Sequence, residues 1–93
     1  MNIGLNEIAI LNAIWEFSNS PSNNMMVFDS KHLNMGEELR DVIIEKLQNS
    51  GFVKGFGFYG QIDGMSYNKI CWGNSSPELT SLGERSIGKK QPY

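Results

Sequence analysis

The sequence predicts a small α+β domain in which three helices are followed by a two-stranded β-hairpin and a short closing helix. Three observations support this prediction. The best-marked helical segment stops at Gly51 and continues directly into a glycine- and aromatic-rich stretch. Beyond Gly51 the apolar residues change from a helical period to the two-residue period of a strand. Asp63 and Gly64 then supply turn chemistry between two strand-like segments.

The length of the chain favours one domain. Ninety-three residues can enclose one modest hydrophobic core but not two. We predict that residues 1–87 form the domain and that residues 88–93 form a flexible tail. The longest apolar run, Ile8 to Leu11, is too short to span a bilayer. A lone Cys71 excludes an internal disulfide, which fits the reducing cytoplasm. Together with the short apolar run, this leads us to expect a cytoplasmic protein that does not enter a membrane.

The first helix is predicted from about Leu5 to Ser18. At 3.6 residues per turn, its apolar side chains fall within roughly half of the circumference, and Ala13 falls on the other half. So wide an apolar face requires neighbours on both sides, as the central helix of a small domain has. The apolar face consists of Ile8, Ile10, Leu11, Ile14, Trp15 and Phe17.

Two short segments precede the third helix. Met25–Phe28 is brief and apolar, which predicts either a third short strand or an extended lead-in. Asp29 is a good N-cap for a helix of about Ser30–Leu33. Asn34 then caps the third helix, with Glu37 as the reciprocal partner of a capping box.

The third helix is predicted to bury one stripe and to end at a glycine. Gly51 followed by Phe52 predicts a Schellman-type stop, because a left-handed residue with an apolar follower ends many helices. The predicted buried stripe is Leu39, Val42, Ile43 and Leu47. The predicted solvent side is Glu37, Glu38, Arg40, Asp41, Glu45 and Gln48.

The second half supplies the hairpin and the closing helix. Phe52 begins the first strand, and the segment from Met65 to Trp72 returns as its partner. Thr80 can cap the last helix, Ser81–Ile87. The predicted core is Ile8, Leu11, Ile14, Trp15, Phe17, Leu39, Val42, Ile43, Leu47, Phe52, Val53, Ile70, Trp72 and Leu82.

Two passages resemble a known family. Residues 42–55, VIIEKLQNSGFVKG, resemble the passage from the third helix into the wing in the YjcQ-like family of small bacterial and phage proteins. Residues 79–83, LTSLG, resemble the passage that follows the wing in many winged-helix regulators. The resemblance extends over about residues 5–87. It implies a winged helix-turn-helix fold, in which the hairpin is the wing, and a role in DNA binding and transcription regulation.

Charge is unevenly distributed along the chain. The formal net charge is -2, which opposes the approach to a polyanion. The first fifty residues hold seven acidic and three basic side chains, whereas the rest holds three acidic and five basic ones. A positive surface therefore has to come from the second half.

No catalytic or cofactor site is predicted. The segment Gly55–Gly60 matches G-x-G-x-x-G, but it follows a helix and lies in a strand, whereas a dinucleotide site needs that pattern to open a helix. Its glycines are expected to let the hairpin bend. His32 and Cys71 are too few for a structural zinc site or an oriented nucleophile. We predict a non-enzymatic protein without metal, cofactor or small-molecule ligand.

The first functional hypothesis is binding of double-stranded DNA by the third helix and the wing. Lysines on the wing could contact phosphates, and polar side chains of the third helix could read bases. The acidic solvent side of that helix opposes this hypothesis, because carboxylates near phosphates weaken binding. The candidate DNA-binding residues are Lys31, Arg40, Gln48, Lys54 and Lys69.

The alternative hypothesis is a protein-interaction or self-association module that does not bind DNA. Aromatic residues are dense in the hairpin, and a two-stranded ribbon cannot bury both of its faces. Such a surface would contact a protein partner or a second copy of the chain. The candidate contact residues are Phe56, Phe58, Tyr59 and Tyr67.

Overall fold

A computed structural model describes residues 3–20, 25–61, 64 and 66–89. Within these residues the chain is a small α+β protein with four α-helices and two small antiparallel sheets. The helices are α1 (Leu5–Asn19), α2 (Ser30–Leu33), α3 (Glu37–Asn49) and α4 (Ser81–Ser86). The strands are β1 (Val53–Lys54), β2 (Phe58–Gln61), β3 (Asn68–Ile70) and β4 (Glu78–Leu79). Short 3₁₀ turns span Met25–Phe28 and Trp72–Asn74.

The predicted hairpin is confirmed as the antiparallel pair of β2 and β3, here called the hairpin. Phe58 pairs with Ile70 and Gln61 with Asn68, and the register shifts between these two pairs. Gly60 lies at this shift with φ of 81°, which accounts for the bend that the glycines predict. The predicted turn residue Asp63 lies outside the described residues.

The second sheet pairs β1 with β4, which the sequence does not predict. Val53 pairs with Leu79 across it. The predicted strand at Met25–Phe28 is wrong, because that segment is a 3₁₀ turn. Val27 and Phe28 are buried one after the other, and a strand that alternates its faces cannot place two successive side chains in one core.

The predicted α1 is confirmed, and it is the central helix. It packs against α3, the Met25–Phe28 turn and β4, so its buried sector is wider than the predicted half. Ala13 is buried for this reason, although the prediction places it on the solvent side. The buried core is Ile10, Leu11, Ala13, Ile14, Val27, Phe28, Leu33, Met35, Ile43, Ile44, Leu47, Phe52, Val53, Phe56, Ile70 and Leu79.

The predicted capping box at the start of α3 is wrong. Asn34 has φ of 56° and is the left-handed C-cap of α2, whereas the N-cap of α3 is Gly36. A capping-box residue needs extended backbone. Asn is one of the few residues that readily adopt the left-handed conformation, so it suits the end of a one-turn helix.

The end of α3 confirms the predicted Schellman stop and contacts the residue that opens α4. The Phe52 amide donates to the Leu47 carbonyl at 2.9 Å, and the Gly51 amide donates to the Gln48 carbonyl at 3.1 Å. The Thr80 hydroxyl accepts from the Gly83 amide at 3.2 Å and donates to the Gly51 carbonyl at 2.5 Å. The Thr80 hydroxyl therefore connects the end of α3 to the first turn of α4.

The helix α4 approaches this junction too closely for a side chain at Gly83. A Cβ atom there would lie 2.1 Å from the Phe52 carbonyl oxygen. Gly83 and Glu84 form the buried side of α4, whereas Leu82, predicted to be buried, is exposed. The backbone amides of Gly88 and Lys89 continue the end of α4 by donating hydrogen bonds to the Arg85 and Glu84 carbonyls. The rest of the predicted tail lies outside the described residues.

Candidate functional site

The charged pair at the start of α3 faces the core. Arg40 and Asp41 are 7% and 0% exposed, so their predicted place on the solvent side is wrong. The Arg40 Nε atom lies 2.8 Å from Asp41 Oδ1, and Arg40 Nη1 donates to the Phe28 carbonyl at 3.1 Å. The second Asp41 oxygen accepts the Ile70 amide at 3.1 Å. The pair therefore links α3 to the Met25–Phe28 turn and to β3.

The burial of Arg40 has a physical explanation. Asp41 neutralises its charge, and its guanidinium carbon lies 5.3 Å from the centre of the Trp72 ring. Trp72 in turn stacks against Phe28, with ring centres 5.0 Å apart. Arg40 is thus a core residue and does not reach a ligand outside.

Gln48 is also engaged inside the protein. Its side-chain amide accepts the Phe56 backbone amide at 2.9 Å and donates to the Phe56 carbonyl at 3.0 Å. These two hydrogen bonds have the donor and acceptor pattern of a hydrogen-bonded residue pair in an antiparallel sheet. They hold the segment between β1 and β2 against α3. Gln48 therefore has a structural role that uses both ends of its amide.

The lysines among the candidate DNA-binding residues lie on three different elements. Lys31 is exposed on α2, Lys54 is exposed on β1, and Lys69 is half-buried on β3. With Arg40 buried and Gln48 engaged, α3 retains neither of the side chains predicted to read bases.

The aromatic candidates divide between core and surface. Phe56 is buried and packs edge-on against Trp72 at 6.0 Å, because Gln48 fixes its backbone, so its predicted exposure is wrong. Phe58 is half-buried against the core. Tyr59 is 60% exposed, and Tyr67 is half-buried at the edge of α3.

The outward-facing surface of α3 is apolar at its centre. Leu39 and Val42 are 44% and 43% exposed, although the prediction places both in the buried stripe. We call the exposed residues of this helix the outer face. They are Glu37, Glu38, Leu39, Val42, Lys46 and Asn49.

A groove separates the outer face from the hairpin. It has a volume of about 500 Å³, and its lining residues are Val42, Glu45, Ser66, Tyr67 and Asn68. The Asn68 amide donates to Glu45 Oε2 at 2.6 Å, which holds the half-buried carboxylate in place. The groove therefore combines an aliphatic wall, an aromatic ring and a positioned carboxylate.

The electrostatic environment of the groove is negative. Partial burial raises the pKa of Tyr67, and the charges of Asp41, Glu37 and Glu38 raise it further, against the opposite effect of Arg40. Burial and the three carboxylates disfavour the phenolate, and the positive charge of Arg40 partly offsets them. A cation would be stabilised at this position by the negative charges of Glu37 and Glu38.

Tyr59, on β2, has a different environment. A side-chain hydrogen bond with Cys71 raises the pKa of Tyr59, and the charge of Cys71 acts in the same direction. Tyr59 contributes an exposed aromatic ring to the hairpin.

The predicted G-x-G-x-x-G pattern serves packing. Gly55 has φ of 89°, its carbonyl accepts the Ser76 amide at 2.7 Å, and a Cβ atom would lie 2.0 Å from the Ser76 carbonyl oxygen. The Gly57 amide donates to the Ser75 hydroxyl at 3.0 Å. Both glycines are thus occupied by contacts with the segment before β4.

A second groove of about 500 Å³ lies between the end of α1, the segment before β4 and α4. Its lining includes Phe17, Ser76, Glu78 and Glu84. None of the candidate DNA-binding or aromatic residues borders this groove. Across the described ranges, no group of three or more His, Cys, Asp or Glu side chains is arranged to hold a metal ion.

Comparison with protein-family models, with curated proteins and with solved structures finds no match to this chain. Among the described helices, none is both long and apolar enough to cross a membrane.

The sequence identifies Glu45 and Tyr67 of the groove, but not Ser66, Asn68 or the apolar centre of the outer face. The spacing of Leu39 and Val42 predicts both in the core, and the predicted solvent side does not include Lys46. Ser66 and Asn68 carry no motif. Their only signal is their position on either side of Tyr67 in the second strand.

Proposed function

We propose that the chain is a winged-helix domain with the hairpin as its wing, and that it acts as a non-enzymatic protein-interaction module. The order of α2, α3 and the hairpin supports the fold, as does the closing helix that contacts the end of α3. Fold alone does not decide what such a domain binds. The outer face and the groove provide the argument for its partner.

One observation carries the proposal: the exposed centre of α3 is apolar, while its arginine and glutamine are engaged inside. Leu39 and Val42 offer aliphatic surface next to the half-buried ring of Tyr67. Apolar residues with a polar rim are typical of protein contacts. The half-buried Glu45 and the outer-face acids and lysine leave this region with a net charge of -2.

This charge favours a partner of basic and apolar character. A second copy of the chain would bring two negative faces together, and like charges across an interface oppose association. DNA carries one phosphate charge per about 1.7 Å of helix axis, so a duplex on this face would meet stronger repulsion. Lys31, Lys54 and Lys69 would have to supply DNA binding from elsewhere on the molecule.

Selection from a library of random short peptides tests the proposal. Binding is selected on the wild-type protein and counter-selected on a Leu39→Ser, Val42→Ser double variant. Enriched peptides should combine Lys or Arg with apolar residues, and the double variant should bind them at least about tenfold more weakly. Leu82→Ser is the matched control, because Leu82 is 40% exposed on a different helix.

Two results would contradict the proposal. One is that no peptide distinguishes the wild type from the double variant while circular dichroism shows both folded. The other is binding of generic duplex DNA at low salt that weakens in Lys54→Glu and Lys69→Glu but not in the double variant. That second result would support the DNA-binding hypothesis instead.

A further inference from the structure

We infer that the groove between α3 and the hairpin receives an arginine side chain from the protein partner. The inference rests on the proposed function and specifies the partner's chemistry at one position. Its basis is the set of groups that border the groove: the side chains of Val42, Glu45, Ser66, Tyr67 and Asn68.

These groups match the separate parts of an arginine side chain. Val42 can cover the aliphatic stem, and the Tyr67 ring can stack on the planar guanidinium. Glu45 can accept two of its N–H groups, since a carboxylate and a guanidinium form paired hydrogen bonds. A lysine would meet the same charge, but its ammonium lacks the flat surface and the paired donors.

The carboxylate is already oriented before binding. Asn68 donates to one Glu45 oxygen at 2.6 Å, and both residues are half-buried. A group held in place loses less conformational entropy when a ligand arrives. The charges of Glu37 and Glu38 raise the pKa of Tyr67, so they add negative potential near its ring.

An arginine within a protein fits better than a free guanidinium compound. The groove opens onto the outer face, where Val42 is 43% exposed, so a small molecule would remain largely in water. A polypeptide that carries the arginine can also cover Leu39 and gain apolar contact there. A free guanidinium compound and an arginine in a polypeptide present the same group, but the polypeptide is expected to bind more tightly.

Side-chain probes test the groove itself. N-butylguanidinium is titrated into ¹⁵N-labelled protein, with neutral N-butylurea as the matched probe. The guanidinium should shift the amide signals of Val42, Tyr67 and Asn68, with Kd in the millimolar range, and the urea should not. Glu45→Gln should weaken this binding at least about tenfold, as loss of a charged hydrogen-bond partner does. Glu78→Gln, an exposed glutamate at the other groove, should leave it unchanged.

Equal shifts from the urea, or unchanged binding in Glu45→Gln, would overturn the inference. Tyr67→Ala provides a second variant. It should also weaken binding of N-butylguanidinium, and Glu78→Gln is again the reference whose binding does not change. Both variants are compared only after their spectra show a folded protein. A Glu45→Gln protein that fails to fold leaves Tyr67→Ala to decide.

Selected peptides separate this inference from the proposed function. Replacing one arginine of such a peptide with citrulline should weaken binding to the wild type at least about tenfold, but have little effect on Glu45→Gln. Peptides that need Leu39 and Val42 but no arginine would overturn the arginine site and leave the proposed function intact. If no peptide distinguishes the wild type from the double variant, the proposed function is overturned, and the guanidinium titration then decides the groove alone.

Discussion

At the scale of single residues, the fold depends on a charged pair that is almost entirely buried. Arg40 and Asp41 satisfy each other and also bind the backbone of Phe28 and Ile70, which lie 12 and 29 positions away in sequence. Removing one member of such a pair leaves an uncompensated charge in the core, which costs about 3–5 kcal/mol. This is a large share of the stability of a small domain.

We therefore predict that Asp41→Asn lowers the free energy of unfolding by about 3–5 kcal/mol. Urea denaturation followed by circular dichroism measures the loss. Asp29→Asn is the control, because Asp29 is exposed and its side chain makes no capping bond, so the change should stay within about 0.5 kcal/mol. Equal stability of the two variants would show that Asp41 is not buried.

Tyr67 reports the negative potential beside the groove. Because burial and nearby carboxylates raise its folded-state pKa above the ordinary 10.0, the folded protein holds the phenol proton more tightly than the unfolded chain. The resulting stability is present below pH 10.0 and is lost as pH rises through the folded pKa.

The expected titration is specific to this residue. Phenolate absorbance of the wild type, minus that of Tyr67→Phe, should show a midpoint above pH 10.0, and Glu38→Gln should lower that midpoint. A midpoint at or below the ordinary value would mean that the tyrosine lies away from the acids of α3.

At the scale of elements, the sequence predicts where α3 ends better than which side it buries. Gly51 and Phe52 determine the stop by local backbone geometry, which three or four neighbouring residues encode. The buried side is ambiguous, because Ile43 and Leu47 belong both to the predicted stripe and to the observed one. The orientation is decided by Arg40 and Asp41, whose partners are distant in sequence and therefore invisible to periodicity.

The same limit applies to β1 and its partner. Two residues in each strand carry no recognisable alternation, and their pairing depends on the contact of Thr80 with Gly51 and Phe52. The hairpin is different, since its alternating residues and glycines lie close together in sequence. Local patterns therefore predict the hairpin, whereas contacts over longer distances decide the second sheet.

The segment between β1 and β2 gives a prediction at this scale. Gly51 and Gly55 have nearly equal positive φ values, of 84° and 89°, but a Cβ atom at Gly51 has no neighbour within 4 Å, whereas at Gly55 it meets the Ser76 carbonyl at 2.0 Å. We predict that Gly51→Ala costs about 1–2 kcal/mol of unfolding free energy from backbone strain.

Gly55→Ala should cost clearly more than Gly51→Ala, because steric overlap with Ser76 adds to the same strain. Thermal and urea unfolding of the two variants give the comparison. Similar losses would contradict the close approach of this segment to Ser76, and with it the packing role of the glycine pattern.

At the scale of the whole molecule, the fold class could be predicted and the interacting surface could not. The order of the helices and the hairpin follows from local signals at Gly51, at Thr80 and within the hairpin. The outer face and the groove instead arise from how α3 is rotated and where β3 lies beside it. Both depend on the inward turn of Arg40, which a rule that keeps charges in water does not anticipate.

The exposed charge of α3 also depends on the orientation of this helix. Arg40 and Asp41 cancel inside the protein, so the exposed part of α3 holds Lys46 among its acids and apolar residues. The region is therefore less acidic than the sequence predicts but considerably more apolar. This change moves the expected partner from a nucleic acid towards a protein.

The orientation of α3 is the claim on which both proposals depend, and thiol labelling tests it most directly. In a Cys71→Ser background, Val42→Cys and Ile43→Cys are exposed to a maleimide reagent under native conditions. Val42→Cys should react at nearly the rate of an unfolded thiol, whereas Ile43→Cys should be strongly protected. Protection of both thiols would contradict the account, since it would place Val42 in the core.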